Sequence, residues 1–371
     1  MNEQPVSLAT ELHRLLQARL QAQAGWLPFD RFMALALYAP GVGYYSARSQ
    51  PIGRMPSGGS DFVTAPLVSP FFGMALARSL QQALQHTGTS NVLEFGAGDG
   101  SLALQLLQAM GDSVERYDIV EVSAHLRQQQ ADKLKAHAHK VQWLDALPEH
   151  INAVVVGNEV LDAMPVQLLS RVGGVWHERG VALDTSKPHA ESPVFVWQDR
   201  SSDLRPPFEV TGEHDYVTEI HQQAQGFVQT LADRLKTGAV FLLDYGFPES
   251  EYYHPQRHMG TAMCHQAHQS DTDPLTQVGQ KDITAHVNFT GIALAAQDAG
   301  LEVLGYTNQA HFLMNCGIVE LMQAASLPER VAAQKLILEH EMGELFKVIA
   351  LGTGVPWTPL GFVKGDKMHC L

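Results

Sequence analysis

The feature that most constrains the fold of this chain is a glycine-rich turn between an apolar run and a helical pattern. Residues 91–95 read Asn-Val-Leu-Glu-Phe, residues 96–100 read Gly-Ala-Gly-Asp-Gly, and apolar residues at helical spacing follow over residues 102–110. Glycines let the backbone pass close to a ligand, and the next helix begins with unpaired N–H groups. The pattern predicts a ligand site beyond the carboxyl ends of parallel strands.

Strands and helices then alternate along the chain, which indicates βαβ units and a parallel sheet with right-handed crossovers. The core elements predicted after the turn are a helix at 124–137 and strands at 117–122, 141–144, 153–157, 239–244, 301–306 and 346–351.

The other predicted elements surround this core. Helices are predicted at 8–20, 28–37, 70–85, 216–235, 282–300 and 326–345, and long polar loops at 41–70 and 248–276. Short apolar segments around Gly173 and Gly174 predict a β-rich insertion. We therefore divide the chain into an N-terminal helical and lid region (1–90), a ligand-binding core (91–165 and 213–371) and the insertion (166–212).

Composition narrows the function classes. The chain carries 39 acidic and 25 basic side chains, a formal charge of −14, which disfavours a broad nucleic-acid footprint. No apolar run reaches the roughly 18 residues that a membrane helix needs. Three widely spaced cysteines form no Cys-x-x-Cys pair, and residues 1–25 lack the pattern of a secretory or transit peptide. We expect a cytoplasmic protein without disulfides, membrane insertion or a nucleic-acid partner.

The turn differs from the dinucleotide-binding fingerprint. Its glycines are Gly96, Gly98 and Gly100, so the third comes one residue early, and Glu94 stands two positions before the first. A carboxylate there is poorly placed for a diphosphate and well placed for the cationic end of an amino acid. Glu121, at the end of the next predicted strand, can accept hydrogen bonds from ribose hydroxyls.

Polar residues at three further strand ends have two interpretations each. Asp145 faces an adenine amino group, or it is an ordinary turn residue. Asn158, Glu159 and Asp162 hold a substrate nitrogen, or they cap and charge a helix N-terminus, or both. Asp244 contacts the substrate in the same crevice, or it caps a loop.

Two loops carry further candidates. Tyr44, Tyr45, Phe62 and Thr64 form a lid over a bound cofactor, or they pack the N-terminal segment onto the sheet; Thr64 counts among the candidate cofactor contacts. Four histidines lie within residues 254–268, where a metal site and a surface or acceptor-binding loop are the alternatives. No His-x₃-His pair lies on a clear helix there, so we assign no metal.

These residues resemble two nested families. Glu94-x-Gly96-x-Gly98-x-Gly100 followed by Glu121 resembles the class I S-adenosylmethionine-dependent methyltransferases. More narrowly, the chain is similar to the MidA-type family, which includes the mitochondrial complex I assembly-factor arginine methyltransferase and its bacterial relatives. The blocks that carry this similarity span about residues 25–310 and are LALYAP (35–40), GYY (43–45), SDFVTAP (60–66), GNEVLDAMP (157–165), LDYG (243–246), GT (260–261) and DITAHVNF (282–289).

The resemblance implies an α/β fold with a Rossmann-like, seven-stranded class I methyltransferase sheet. It also implies S-adenosyl-L-methionine as cofactor and a protein arginine as acceptor, with a respiratory-complex subunit as the protein substrate; a homodimer is left open. The residues it assigns to the cofactor, or to a bridge between cofactor and acceptor, are Gly96, Gly98, Gly100, Glu121, Asn158 and Glu159.

Methyl transfer to arginine requires carboxylates, because a guanidinium is protonated at neutral pH and poorly nucleophilic. A carboxylate pair holds the ion bidentately and draws its charge away from the reacting nitrogen. Glu159 with Asp162, or Glu159 with Glu94, is the predicted pair. The alternatives are a methyltransferase for a small molecule or another nitrogen or oxygen nucleophile, and a non-catalytic assembly factor on the same fold.

Overall fold

The computed structural model of the protein describes residues 8–47, 64–186, 194–266 and 269–371. The helices are α1 (Leu8–Ala22), α2 (Phe29–Tyr38), α3 (Tyr44–Ala47), α4 (Ala65–Val68), α5 (Phe71–Thr87), α6 (Ser101–Met110), α7 (Ala124–Lys133), α8 (Gln222–Arg234), α9 (Glu249–Tyr252), α10 (Phe289–Asp298), α11 (Gln309–Asn315), α12 (Ile318–Gln323) and α13 (Leu327–Gln334). The strands are β1 (Trp26–Pro28), β2 (Asn91–Phe95), β3 (Arg116–Val120), β4 (Val141–Leu144), β5 (Ile151–Asn158), β6 (Gln167–Val172), β7 (Val175–Leu183), β8 (Phe195–Ser201), β9 (Tyr216–Ile220), β10 (Leu235–Phe247), β11 (Met263–Gln266), β12 (Gln269–Asp271), β13 (Asp282–Thr284), β14 (Val287–Asn288), β15 (Glu302–Asn308) and β16 (Phe346–Gly352).

Eight strands form the central sheet. Seven of them run in the order β15-β16-β10-β5-β2-β3-β4, and the two-residue β14 pairs with the end of β10. Neighbouring strands from β10 to β4 are parallel, whereas β16 is antiparallel to both β10 and β15. The sheet is therefore mixed: the predicted parallel order is found from β10 to β4 and does not extend to β16.

Helices cover both faces of this sheet. In β5, Val154 and Val156 pack in one core with side chains of α5 and α6, while Val155 packs in a second core with side chains of α8 and α10. A strand buried on both faces needs an apolar side chain at every position, which explains the valine run in β5. Polar residues occur where the strand ends, as Asn158 does in β5.

A second, antiparallel sheet is built around the predicted insertion. Its order is β1-β7-β6-β9, with β8 paired to β7. Strands β6, β7 and β8 lie within residues 166–212, whereas β1 and β9 come from outside those bounds. The predicted helix at 216–235 is wrong at its start, because residues 216–220 are β9 and pair with β6. Their sequence, Tyr-Val-Thr-Glu-Ile, is rich in β-branched and aromatic residues that suit a strand.

The structure corrects two other helix predictions. The segment 282–300 begins with β13, which pairs with β11, and its helix starts only after Asn288 caps α10 through the N–H of Gly291. The capping box of Ser326 and Glu329 is confirmed, but α13 ends at Gln334 rather than near 345. The chain folds back there, so that Gly343 packs directly against the backbone of Ile337.

The two loops are also more structured than predicted. Segment 248–276 contains α9, β11 and β12, and the ends of segment 41–70 form α3 and α4. Residues 48–63, which include Phe62, lie outside the described residues. Cys264 and Cys316 are buried free thiols, and Cys370 is an exposed one. Within the described ranges, no helix combines the length and the apolar character needed to cross a bilayer.

Candidate active site

The glycine turn lies between the end of β2 and the start of α6. Gly96, Gly98 and Gly100 have φ values of 63°, 53° and 81°. This is a left-handed backbone conformation that residues other than glycine rarely adopt. A Cβ atom on Gly96 would lie 2.8 Å from Cγ2 of Val160. The glycine turn is therefore close-packed against the loop that follows β5, so the candidate residues of the turn and those of the loop lie next to each other.

A buried glutamine, which the sequence analysis missed, ties the turn to the end of β3. Nε2 of Gln130 donates to the carbonyl of Gly98 at 2.9 Å and to Glu121 at 3.4 Å. Its Oε1 accepts from the indole N–H of Trp143 at 2.8 Å. One side chain from α7 thus fixes the turn, the Glu121 carboxylate and β4 relative to one another.

Glu121 and Glu94, the two acids expected beside the cofactor, lie in different surroundings. Glu121 is half-buried directly after β3 and accepts from the backbone N–H of Ser123 at 2.8 Å. Burial raises its pKa. Glu94 is fully buried in β2 and accepts from the hydroxyl of Tyr117 at 2.7 Å. Burial raises the pKa of Glu94 to about 8, so its carboxyl is largely protonated near neutral pH.

Asp145 lies at the exposed edge of this region. Its side chain is 89% exposed and forms an ion pair of 2.7 Å with Arg127. The same arginine donates to the carbonyls of Glu121 and Leu144. The structure therefore gives Asp145 a surface ion pair that orients Arg127 across the ends of β3 and β4.

Glu159 occupies a strained backbone position. Its φ is 53°, which is uncommon for a residue with a side chain and is typical of functional sites. Its Oε1 accepts from Nδ2 of Asn158 at 3.0 Å and from the backbone N–H of Ala65, directly after Thr64, at 3.4 Å. The carboxyl group thus joins the end of β5 to the N-terminal region.

Asp244 holds the loop that carries Glu159. Its Oδ2 accepts from the backbone N–H groups of Val160, Leu161 and Asp162 at 3.1, 2.8 and 3.1 Å, and its Oδ1 accepts from that of Tyr245 at 2.9 Å. Burial, Asp162 and Glu159 raise its pKa, and these N–H donors oppose the rise. Of the two interpretations from the sequence, the structure favours the cap.

Asp162 and Asn158 each have a buried side-chain oxygen that is available to accept a hydrogen bond from a ligand. Oδ2 of Asp162 accepts from the hydroxyl of Tyr245. Oδ1 of Asp162 and Oδ1 of Asn158 are buried and have no hydrogen-bond partner among the described residues. Burial raises the pKa of Asp162 to about 6. Buried acceptors without donors are rare in native proteins, and at a cleft they indicate a ligand.

A third carboxylate, Asp282, was not predicted as a site residue. It lies in β13, and its Oδ2 accepts from the hydroxyl of Tyr45 at 2.9 Å. The ring of Tyr45 stacks on that of Tyr38 at 5.6 Å, and Tyr38 donates to the carbonyl of Ala163 at 2.8 Å. Tyr44 is fully buried in the N-terminal core. Tyr45 therefore contacts an acidic cluster, which consists of Glu159, Asp162 and Asp282. Tyr44 instead packs in the core of the N-terminal segment.

The carboxyl groups act on one another. Burial, together with the neighbouring Asp162 and Asp282, raises the pKa of Glu159 to about 8. Glu94 instead bonds to Tyr117 inside the sheet, so the structure brings Glu159 together with Asp162 rather than with Glu94. A buried group of acids is stabilised in its ionised form by a cation, and perturbed carboxyls of this kind cluster at functional sites.

The histidines of segment 254–268 lie in different surroundings. His254 and His258 are exposed, His265 lies in β11, and His268 is outside the described residues. Within the ranges that the structure describes, no three His, Cys, Asp or Glu side chains lie close enough to hold a metal ion.

Comparison with known proteins identifies the family. The sequence profile of an S-adenosyl-L-methionine-dependent methyltransferase family matches residues 75–307. The chain is 27% identical to the mitochondrial protein arginine methyltransferase NDUFAF7 homolog of Drosophila melanogaster, over 95% of this chain and 89% of that protein. It is 27% identical to the mitochondrial protein arginine methyltransferase NDUFAF7 of Danio rerio, over 88% and 83%.

Solved structures agree. A COG1565 superfamily member from Burkholderia thailandensis, crystallised with S-adenosyl-homocysteine, matches with a TM-score of 0.93 and 45% identity over the full length of both chains. A native structure of a COG1565 superfamily protein from that organism matches with a TM-score of 0.89 and 43% identity, also over both full lengths. The resemblance to the MidA-type family and the assignment of S-adenosyl-L-methionine as cofactor are confirmed. This chain belongs to the family of S-adenosyl-L-methionine-dependent methyltransferases.

Proposed function

We propose that the protein transfers a methyl group from S-adenosyl-L-methionine to a guanidinium nitrogen of an arginine in a protein substrate. The observation that carries this proposal is the acidic cluster beside the glycine turn. Together with Tyr45 and Tyr245, the cluster of Glu159, Asp162 and Asp282 forms what we call the acceptor half of the site. A cluster with this many carboxyl groups, beside the buried and unpartnered oxygens of Asn158 and Asp162, suits a cationic acceptor with several N–H donors.

The glycine turn, Glu94, Glu121 and Gln130 form what we call the cofactor half. The left-handed turn would hold the amino-acid end of the cofactor, and the first N–H groups of α6 would bind its carboxylate. Glu121 has the position and the half-buried carboxylate to bind ribose hydroxyls. We assign Thr64 and Asp145 to the rim of this half. When bound, the cofactor supplies a sulfonium-activated methyl group, so the protein's main task is orientation.

In the acceptor half, Glu159 and Asp162 hold the guanidinium. Their carboxylates pair with its N–H groups and localise its charge away from the nitrogen that reacts. Tyr245 fixes Asp162, and Asp244 fixes the loop backbone. Because the pKa of Glu159 is raised to about 8 by burial and by neighbouring acids, binding of a cation lowers that pKa and releases a proton.

The names of the relatives support an arginine acceptor, since both are protein arginine methyltransferases. By the resemblance described above, we propose a respiratory-complex subunit as the substrate. A homodimer and a cytoplasmic location stay predictions, for sedimentation and cell fractionation to test.

Mass spectrometry of proteins from a deletion strain tests the arginine acceptor. We expect at least one arginine to lose a mass increment of one or two methyl groups, and to regain it with the wild-type gene but not with Glu159→Gln. If cofactor binds and no arginine methylation is lost, the acceptor is a small molecule or another nucleophile. If Glu159→Gln restores growth of the deletion strain while the arginine stays unmethylated, the protein acts as a non-catalytic assembly factor.

A further inference from the structure

A cavity outside the active site lies at the tip of the β6–β7 hairpin. Its volume is about 600 Å³, and it lies between the hairpin turn at residues 173–174 and the segment 205–213. Arg171 and Trp176 line it from the two strands of the hairpin, and Phe208 lines it from the facing segment. None of these residues belongs to the cofactor or acceptor half.

The side chain of Arg171 is buried in an unusual way. Only 5% of the residue is exposed, its Nε donates to the carbonyl of His214 at 3.1 Å, and its Nη1 donates to that of Val210 at 2.8 Å. Its Nη2 is buried and has no hydrogen-bond partner among the described residues. Both recorded bonds go to carbonyl oxygens, so no carboxylate in the described part of the chain pairs with this charge.

The sheet places two aromatic rings next to this guanidinium. Arg171 stands opposite Trp176 in β7 and opposite Tyr216 in β9, and its guanidinium carbon lies 5.3 and 5.7 Å from the centres of their rings. Cation–π contacts offset part of the cost of burying the charge. They leave the unused N–H donors of Nη2 without an acceptor, and burial of an unpaired donor or charge is unfavourable.

The edge of the cavity is mixed. Val175 is 58% exposed and Phe208 is 40% exposed, and the exposed charged residues Arg205, Glu209 and Glu213 also line the cavity. Large exposed apolar side chains around a buried arginine are typical of protein–protein contacts, in which an anchor enters a pocket and its apolar surroundings exclude water. A small free anion would leave these apolar side chains in contact with solvent.

We propose that this cavity docks an acidic side chain of a protein partner, flanked in the partner by apolar residues. Arg171 lines the cavity, so a carboxylate that enters the cavity offsets the buried charge of its guanidinium. The partner's apolar neighbours cover Val175 and Phe208. β6 begins five residues after Asp162, and Arg171 lies four strand positions further, about 13 Å. A partner docked here is therefore anchored on the strand that leads away from the acceptor half. The docking site does not require that arginine be the methyl acceptor.

Two blocked pentapeptides test the proposal on the full-length protein: acetyl-Leu-Val-Asp-Val-Leu-amide and its Asn counterpart. Binding is followed by the NMR signal of the Trp176 indole N–H, which Trp176→Phe identifies among the five tryptophans. We expect a saturable shift with the Asp peptide and about tenfold weaker binding of the Asn peptide, the usual penalty for losing a charged hydrogen bond. No shift with either peptide, or equal binding of both, overturns the proposal, and this comparison needs no variant of the protein.

Two arginine variants locate the acidic contact. Arg171→Gln should abolish the preference for Asp over Asn, whereas Arg205→Gln, at an exposed arginine that lines the same cavity, should keep it. The reverse result overturns the assignment to Arg171. Inorganic phosphate that displaces the Asp peptide with higher affinity than the peptide itself would identify a small-anion site instead. A Trp176 shift that depends on protein concentration alone would identify a second copy of this chain as the occupant. Either finding contradicts docking of a separate acidic partner.

Discussion

The cofactor half and the acceptor half of the site differ in how the chain encodes them. The cofactor half comes from residues 94–130, within consecutive strand–helix units of one sheet. The acceptor half is formed by side chains from four separate parts of the sequence. These are Tyr45, Glu159 with Asp162, Tyr245, and Asp282. A local motif can specify the first, whereas only the folded chain assembles the second. One short segment of the sequence therefore supplies the residues that bind the methyl donor, whereas residues from distant segments together determine which acceptor binds.

Replacing Glu159 by Gln should have the largest effect, and it should affect the acceptor half alone. Gln keeps the size of the side chain but cannot draw positive charge from a guanidinium, so methyl transfer should fall at least about 100-fold. Affinity for S-adenosyl-homocysteine, measured by calorimetry, should change little. Glu149→Gln is the matched control, since Glu149 is exposed and lies just before β5 while Glu159 lies just after it. Near-full turnover of Glu159→Gln on the acceptor would show that the carboxylate has another role.

Removing one hydroxyl should show that Tyr45 belongs to the acceptor half and not to a cofactor lid. Tyr45→Phe removes the donor to Asp282, and we expect kcat/KM for the acceptor to fall about tenfold while cofactor affinity holds. Tyr306→Phe is the control, because the hydroxyl of Tyr306 is buried without a partner among the described residues. If Tyr45→Phe instead weakens cofactor binding and leaves acceptor KM unchanged, the lid interpretation is the better one.

A smaller effect should appear in the pH dependence of stability, in both halves. The pKa values of Glu94 and Glu159 are raised to about 8 by burial, against 4.5 for an exposed Glu. Between these values the folded state holds protons that the unfolded state has lost, so the free energy of unfolding falls as pH rises from about 5 to about 8. Glu159→Gln should remove part of this fall, as judged by urea unfolding at pH 5.5 and 8.5.

The comparison with Glu94→Gln then separates the halves. Both variants should flatten the pH dependence of stability in the free protein. Adding an arginine-containing acceptor should lower the pKa of Glu159 only, and should therefore release protons in calorimetry with Glu94→Gln but not with Glu159→Gln. Equal proton release by both variants would mean that Glu159 does not contact the acceptor.

The same contrast explains how much of the fold could be predicted from sequence. The strands of residues 91–95 and 141–144 were predicted at their observed bounds, because apolar runs between turn signals need no tertiary information. The short strands β9 and β13 were missed, because their partners β6 and β11 decide their state. Among the described strands of the central sheet, β16 alone breaks the parallel order, and strand direction cannot be derived from an apolar run.

For the site, the glycines, Glu121, Asn158, Glu159 and Asp162 were named from the glycine pattern and the predicted strand ends, and the family resemblance assigned most of them as well. Asp282 could not be, since pairing with His265 in β11 is what brings it to the site. Its presence in the DITAHVNF block was the one available signal. Gln130 looked like an ordinary residue of a polar helix, and only its burial shows its contact with the turn.

Calorimetric titration of S-adenosyl-homocysteine tests the division most directly, with variants at opposite ends of β3. Glu121→Ala, just after the strand, should weaken binding at least about tenfold, because it removes the carboxylate that we assign to the ribose hydroxyls. Glu115→Ala, at an exposed position just before the strand, and Glu159→Gln should bind with almost unchanged affinity. Unchanged affinity of Glu121→Ala together with a large loss for Glu159→Gln would contradict the assignment of the two halves.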